Sequence, residues 1–144
     1  AIWGYGGTVP GPALRARQGE RMIRLFQNDL PQASSVHWHG IRIENSMDGV
    51  AGMTQPAVAP GDEFLYDFAL PDAGTYWYHP HDRTYEQMAR GLYGALIVDE
   101  AEGAPKVDLD EVLLLDDWRL TDDAQIAEVF GHLHDWSHAG RIGN

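Results

Sequence analysis

The sequence contains no cysteine. This absence excludes disulfide bonds, thiolate nucleophiles, zinc and iron–sulfur sites built on cysteine, and any copper centre that requires a thiolate ligand. The sequence also lacks an apolar run of about 20 residues, the length that a membrane-spanning helix needs. We therefore expect no membrane span, and any metal site must be built without thiolates.

Basic residues are also scarce. The chain has 10 Lys and Arg residues against 22 Asp and Glu residues, which gives a formal net charge of -12 at pH 7. An acidic surface of this kind repels phosphate backbones and anionic lipids. We therefore expect no nucleic-acid partner and no membrane partner. No serine stands in a Gly-x-Ser-x-Gly setting, which disfavours a nucleophilic triad.

The chain of 144 residues has the length of one ordinary domain. We expect this domain to span residues 1–120, and residues 121–144 to form a helix and the start of a linker toward a second domain. The sequence opens on Ala1-Ile2-Trp3, without an initiator methionine or an apolar leader. We therefore expect a processed protein or a piece of a longer one.

Short runs of alternating, aromatic or β-branched residues, separated by Pro, Gly and Asp, are typical of an all-β sandwich or barrel. The predicted strands cover residues 22–27, 36–43, 64–68, 75–79, 95–98 and 112–115. A short helix is expected over residues 84–90, with Thr84 as its N-cap and Glu86 facing solvent. A second helix is expected around residues 122–130.

Four of the seven histidines form two pairs, His37-Trp38-His39 and His79-Pro80-His81. In a strand, residues i and i+2 point to the same face, with their rings roughly 6 to 7 Å apart. That separation suits ligands of neighbouring metal ions better than two ligands of one ion. An all-imidazole cluster suits copper, zinc or iron. A lone histidine is most often structural, but two strand-like pairs beside aromatic residues point to a metal site.

A third pair, His132 and His134, follows a helical pattern in which residues i and i+2 face apart. We interpret this pair as structural.

Several segments resemble the first cupredoxin domain of the multicopper oxidases, the laccase-like enzymes. The resemblance covers residue 1 to about residue 100. It is carried by His37-Trp38-His39-Gly40, Met47-Asp48-Gly49-Val50, Asp72-Ala73-Gly74-Thr75-Tyr76-Trp77-Tyr78-His79-Pro80-His81 and Gly91-Leu92-Tyr93-Gly94-Ala95-Leu96-Ile97-Val98. It implies a cupredoxin-like Greek-key β-sandwich with one or two short helices.

The resemblance also implies a role for each histidine of the two pairs. His37 would bind the type 2 copper, His39 and His79 would share one type 3 copper, and His81 would bind the other. In the family this cluster reduces dioxygen to water with electrons from a type 1 copper, where the reducing substrate is oxidised. The two pairs are half of the histidines that the family places around the cluster, and the type 1 centre needs a cysteine that is absent here.

Asp48 matches the position where the family keeps a carboxylate near the type 2 copper. A carboxylate beside a cation stays ionised and can still relay protons, which dioxygen reduction consumes. The alternative is that Asp48 is simply the first residue of an Asp-Gly turn.

The resemblance implies an oxidoreductase domain that depends on other parts of a parent protein. The expected partners are the remaining cupredoxin domains, dioxygen and a reducing substrate that the sequence does not identify. Assembly between subunits stays open, and the resemblance implies that the protein is periplasmic or secreted. The rival hypotheses are a stand-alone copper-binding or copper-carrier module and a structural domain whose histidines bind nothing.

Overall fold

The computed structural model describes residues 1–128, 130 and 143. In this part of the chain, six strands and one short α-helix are formed, in agreement with the predicted all-β class. The elements are β1 (Leu14–Arg17), β2 (Arg21–Gln27), β3 (His37–His39), β4 (Glu63–Ala69), β5 (Gly74–His79), α1 (Thr84–Gln87) and β6 (Gly94–Asp99).

The strands form two sheets. A four-stranded sheet has the order β1-β6-β5-β3, and β2 pairs with β4 in a two-stranded sheet. The β1–β6 pair is parallel, and the β5–β6, β3–β5 and β2–β4 pairs are antiparallel. Strand β6 therefore lies in the interior of its sheet, which explains why its side chains are buried from Gly94 to Val98.

The hydrophobic core lies between the two sheets. Strand alternation directs one face of each strand inward, so Tyr66 and Phe68 of β4 meet Trp38 of β3. The Trp38 ring centroid lies 5.5 Å from that of Tyr66 and 5.1 Å from that of Phe68. The buried cluster comprises Met22, Val36, Trp38, Ile41, Tyr66, Phe68, Leu70, Tyr78, Leu96 and Val98.

The strand predicted over residues 36–43 is shorter in the structure. It ends at His39 because Gly40 adopts a φ of 89°, which lies in the left-handed region and breaks the extended backbone. The sequence alternation continues to Ile43, but the pairing does not.

Two elements expected near the C-terminal end are wrong. Residues 112–115 form no strand, and this stretch has no ladder partner among the residues that the structure describes. The described part of the second predicted helix, residues 122–128, is a turn closed by a bridge between Leu120 and Ile126. Ala124 has a φ of 58°, which a right-handed helix excludes. The division at residue 120 stays a prediction.

The helix near residue 84 exists but is short, and two details differ from expectation. Thr84 is its first residue rather than its cap, and the Thr84 hydroxyl donates to the carbonyl of Pro80 at 3.2 Å. Glu86 is buried rather than solvent-facing, since its carboxylate pairs with the guanidinium groups of Arg83 and Arg90. His132 and His134 lie outside the described residues.

Among the described residues, no helix has the length and apolar character needed to cross a membrane.

Tyr66 links the core to the strand that carries the first histidine pair. Its side chain is fully buried, and its hydroxyl oxygen accepts a hydrogen bond from the Val36 amide at 2.9 Å. Burial raises the pKa of Tyr66 to about 12. The folded state therefore holds the phenolic proton more tightly than the unfolded chain, whose tyrosine pKa is about 10.

The first prediction concerns the substitution Tyr66→Phe. We expect it to lower the free energy of unfolding by about 1–3 kcal/mol, because the buried Val36 amide loses its acceptor. In the wild type, the raised pKa of Tyr66 contributes to the free energy of unfolding. This contribution is fully present below pH 10 and is lost as the pH rises toward about 12. Urea unfolding at pH 7, 10 and 11.5 measures both effects.

The variant should lose less stability than the wild type over this alkaline range. Tyr78, whose pKa burial also raises to about 12, still contributes in both proteins. Equal stability at pH 7, or an unchanged alkaline slope, would contradict the role given to the Tyr66 hydroxyl.

Candidate metal centre

The two histidine pairs meet because β3 and β5 are antiparallel neighbours. The register sets His37 opposite His79 and His39 opposite Trp77. Residues opposite each other in an antiparallel pair point to the same face, and the intervening residues point to the other. Trp38 and Tyr78 therefore enter the core, while the histidines gather on the opposite face, as the spacing predicts.

Two backbone carbonyls orient the rings. The Nδ1 atom of His37 lies 2.7 Å from the Asp48 carbonyl oxygen, and that of His79 lies 2.8 Å from the Pro80 carbonyl oxygen. A carbonyl only accepts, so each Nδ1 donates its proton, and Nε2 carries the lone pair. Both rings thus present Nε2 as the atom for a metal.

His39 and His79 have the geometry of ligands to one ion. Nδ1 of His39 lies 3.1 Å from Nε2 of His79. Two nitrogens bound to one tetrahedral metal at about 2.0–2.1 Å each are about 3.3 Å apart. The candidate ligand atoms of His37, His39 and His79 all lie within 4.8 Å of one another. This cluster of imidazoles fits a metal that accepts nitrogen ligands, such as copper.

The His81 ring lies nearer to His37 than to His79. Its ring centroid is 5.2 Å from that of His37 and 6.3 Å from that of His79. The centroids of His37 and His39 are 5.4 Å apart. The ring separation of roughly 6 to 7 Å predicted within a pair holds for His79 and His81 but not for His37 and His39, and the 3.1 Å contact between His39 and His79 joins the two pairs across the strands.

The electrostatics of the site favour neutral imidazole. Burial, with a smaller contribution from the three neighbouring histidines, lowers the pKa of His79 to about 4. The ring is therefore uncharged at pH 7, with its proton on Nδ1 and the lone pair of Nε2 available to a metal.

Trp77 covers one side of the cluster. Its ring stacks on His39 with a centroid distance of 4.9 Å and on His79 with a centroid distance of 4.1 Å, both at an interplanar angle of 29°. Trp77 therefore packs against the site as a side wall for the two rings.

The loop that carries Asp48 is held against the first histidine pair. The Asp48 carboxylate lies 3.4 Å from Nδ1 of His37, and its side chain is 31% exposed. The His37 proton goes to the backbone carbonyl, so the carboxylate is near the ring without being its main acceptor. The structure therefore brings Asp48 next to His37 and leaves it in contact with solvent.

Gly49 makes this close approach feasible. It has a φ of 78°, and a β-carbon built there would lie 1.8 Å from the Val36 carbonyl oxygen. Any larger residue would push the loop, and with it the Asp48 carbonyl, away from His37.

Three buried polar residues near the site were missed by sequence reasoning: Ser34, Ser35 and Gln87. They hydrogen-bond to one another, to His81 and to the chain before β3. Their sequence pattern carries no signal, because Ser and Gln are usually exposed and only the packing of α1 buries them.

An all-β sandwich that presents a trio of imidazoles from two adjacent strands is a candidate metal-binding domain. A family model described as multicopper oxidase matches residues 1–103. The chain therefore belongs to the multicopper oxidase family, and copper is the metal that its histidine cluster fits.

Similar proteins support this assignment. The chain is 40% identical over 134 residues to the multicopper oxidase MmcO of Mycobacterium tuberculosis, covering 91% of this chain and 25% of that protein. It is 41% identical over 113 residues to copper resistance protein A of Pseudomonas syringae pv. tomato, covering 78% of this chain and 18% of that protein. The chain thus spans a quarter or less of the length of these relatives.

A solved structure gives the same result. Lac15 from a marine microbial metagenome is 52% identical, with a TM-score of 0.78, and the match covers 94% of this chain and 33% of that one.

The second prediction distinguishes two costs of replacing Gly49: the steric cost at its close contact with Val36 and the cost of its positive φ. We expect Gly49→Ala to lower the free energy of unfolding by at least about 2 kcal/mol more than Gly52→Ala. Gly52 has a similar φ of 76°, but a β-carbon built there would meet no atom within 4 Å, so it shares only the conformational cost. Chemical denaturation of both variants measures the difference. Equal losses would contradict the packing of this loop against β3.

Proposed function

We propose that this chain is the N-terminal copper-binding domain of a multicopper oxidase. It would supply half of the histidines of the cluster that reduces dioxygen to water, while a reducing substrate is oxidised at a type 1 copper elsewhere in the parent protein. The observation that carries the proposal is the convergence of two histidine pairs on one face, with ligand nitrogens of His39 and His79 at 3.1 Å.

Each histidine has a proposed place in this cluster. His37 would offer Nε2 to the type 2 copper, and His81 would bind one of the type 3 coppers. His39 and His79 would share the other type 3 copper through Nδ1 and Nε2. Copper bound there would supply the electron transfer that dioxygen reduction requires.

The chain's own residues prepare the site for this chemistry. The Asp48 and Pro80 carbonyls hold the protons of two rings on Nδ1 and so aim Nε2 outward. Burial of His79 keeps its ring neutral. His39 is exposed on the opposite side from the core, which leaves an open face where the other half of the ligands could approach.

Asp48 is the proposed proton relay. Reduction of dioxygen to water takes up a proton for each electron. The Asp48 carboxylate is 3.4 Å from the His37 ring and partly exposed, so it can take a proton from solvent at Oδ1 and release it toward the site.

The copper-carrier alternative is less favoured. A carrier would need a complete ligand set in one chain, whereas the pairs here leave the ligand face open. We also propose that the parent protein is periplasmic or secreted, as the family resemblance implies. Fractionation of cells that express the parent gene would test this location.

The third prediction is that the isolated chain takes up at most about one copper ion. His39 and His79 would hold it, because the ions proposed for His37 and His81 would each keep a single ligand. Titration of Cu(II) into the purified chain, followed by calorimetry and electron paramagnetic resonance, measures the stoichiometry. His79→Asn should abolish most of the uptake, while His81→Asn should retain it.

The same preparation should be inactive as an oxidase. Without cysteine it should lack the blue type 1 absorption and should consume no more oxygen with a phenolic donor than free copper does. Uptake of three coppers per chain, or steady turnover, would instead support a self-sufficient module.

The fourth prediction concerns Asp48→Asn in the full-length parent enzyme. We expect reoxidation of the reduced enzyme by dioxygen to slow roughly a hundredfold, because general acid catalysis contributes on this scale. Anaerobic reduction of the type 1 copper should be nearly unchanged. Stopped-flow measurements of the two half-reactions compare them directly.

Asp62→Asn, at an exposed position in another loop, is the matched control and should leave both half-reactions unchanged. Equal slowing of both half-reactions by Asp48→Asn would indicate a structural carboxylate.

A further inference from the structure

His81 lies beyond the end of the β3–β5 ladder. Strand β5 ends at His79, so the ladder with β3 does not reach His81. Its ring nevertheless lies 5.2 Å from the His37 ring, centroid to centroid. A contact outside the sheet must therefore hold the backbone of His81 in position.

Ser35 provides such a contact. Its hydroxyl oxygen accepts a hydrogen bond from the backbone amide of His81 at 3.1 Å. Ser35 is fully buried and stands two residues before His37. The bond therefore ties the second histidine pair to the chain that leads into the first.

Gln87 holds this chain against α1 through both ends of its amide group. Its Oε1 accepts from the Ser34 hydroxyl at 2.7 Å, and its Nε2 donates to the Ala33 carbonyl at 2.8 Å. Gln87 is fully buried, so these bonds form without competition from water. A buried carboxamide with both ends satisfied allows only a narrow range of relative positions for the two segments it joins.

We infer that Ser35 and Gln87 are positioning residues that set the place of His81 relative to His37. The relevance of this positioning to catalysis rests on the proposed function. Gln87 holds the chain before β3 against α1. Ser35 belongs to this chain and binds the His81 amide, so the position of this chain determines where His81 lies. The two residues thereby position the part of the cluster that lies beyond the β3–β5 ladder.

The first test uses the metal-free chain. We expect nuclear Overhauser contacts between the His37 and His81 ring protons to be present in the wild type and lost in Gln87→Met and Ser35→Ala. Contacts within the core, such as those of Tyr66 with Trp38, should remain. Ser35→Thr, which keeps the hydroxyl, should restore the ring contacts.

Gln18→Met is the matched control. The Gln18 amide donates to the Pro71 carbonyl at 2.9 Å in the turn after β1, so the substitution removes the same kind of bond without touching the cluster. It should leave the histidine ring contacts unchanged.

The second test uses the copper-loaded parent enzyme. We expect Gln87→Met and Ser35→Ala to weaken copper affinity about 10- to 100-fold, as is typical when a residue supporting a metal ligand is lost. They should also change the electron paramagnetic resonance spectrum of the bound copper, because a displaced His81 would no longer be in place to bind its type 3 copper. Copper competition with a chelator measures the affinity.

The outcomes separate the two proposals. If the parent holds no copper, the proposed function fails, while the ring contacts of the metal-free chain still decide the positioning role. Unchanged ring contacts in both variants would overturn the inference. Loss of the core contacts in every variant would also overturn it, because the residues would then support the fold as a whole.

Discussion

The antiparallel pairing of β3 with β5, in the register that sets His37 opposite His79, is the constraint on which the site depends. The backbone hydrogen bonds between β3 and β5 have two consequences. They direct Trp38 and Tyr78 into the core, and they direct the histidines to the opposite face. A shift of one residue would exchange the two faces, burying imidazoles and exposing aromatic rings. The hydrophobic effect that favours the native register therefore also assembles the ligands.

The ladder brings the histidines together, but carbonyl groups and buried polar side chains decide how they are oriented. The Asp48 carbonyl can reach His37 because Gly49 packs directly against the backbone of Val36, the residue just before β3. The Pro80 carbonyl belongs to the residue between the paired histidines and orients His79. Orientation thus comes from two loops, one between β3 and β4 and one directly after β5.

Residues 112–115 carry large apolar side chains that the described part of the chain does not cover. Leu113 and Leu115 are 85% and 96% exposed, an unusual state for large apolar residues so close together. A strand needs a partner, and the described part of the chain offers none to this segment. The matched region makes up 25% of one of the relatives and 18% of another, so both contain long stretches of chain beyond the region matched here.

The local alternation of the sequence determined most of what lies at the site. Because side chains alternate along a strand, His37 and His39 share one face and Trp38 lies on the other, independently of the rest of the chain. The tertiary structure decided the remainder. Gly40 ended a strand whose alternation continued, Glu86 became buried through two arginines, and the strand predicted over residues 112–115 found no neighbour. The reason is physical: periodicity is a property of neighbours along the chain, whereas pairing, burial and ligand orientation depend on groups distant in sequence, as with Gln87 and Ser34.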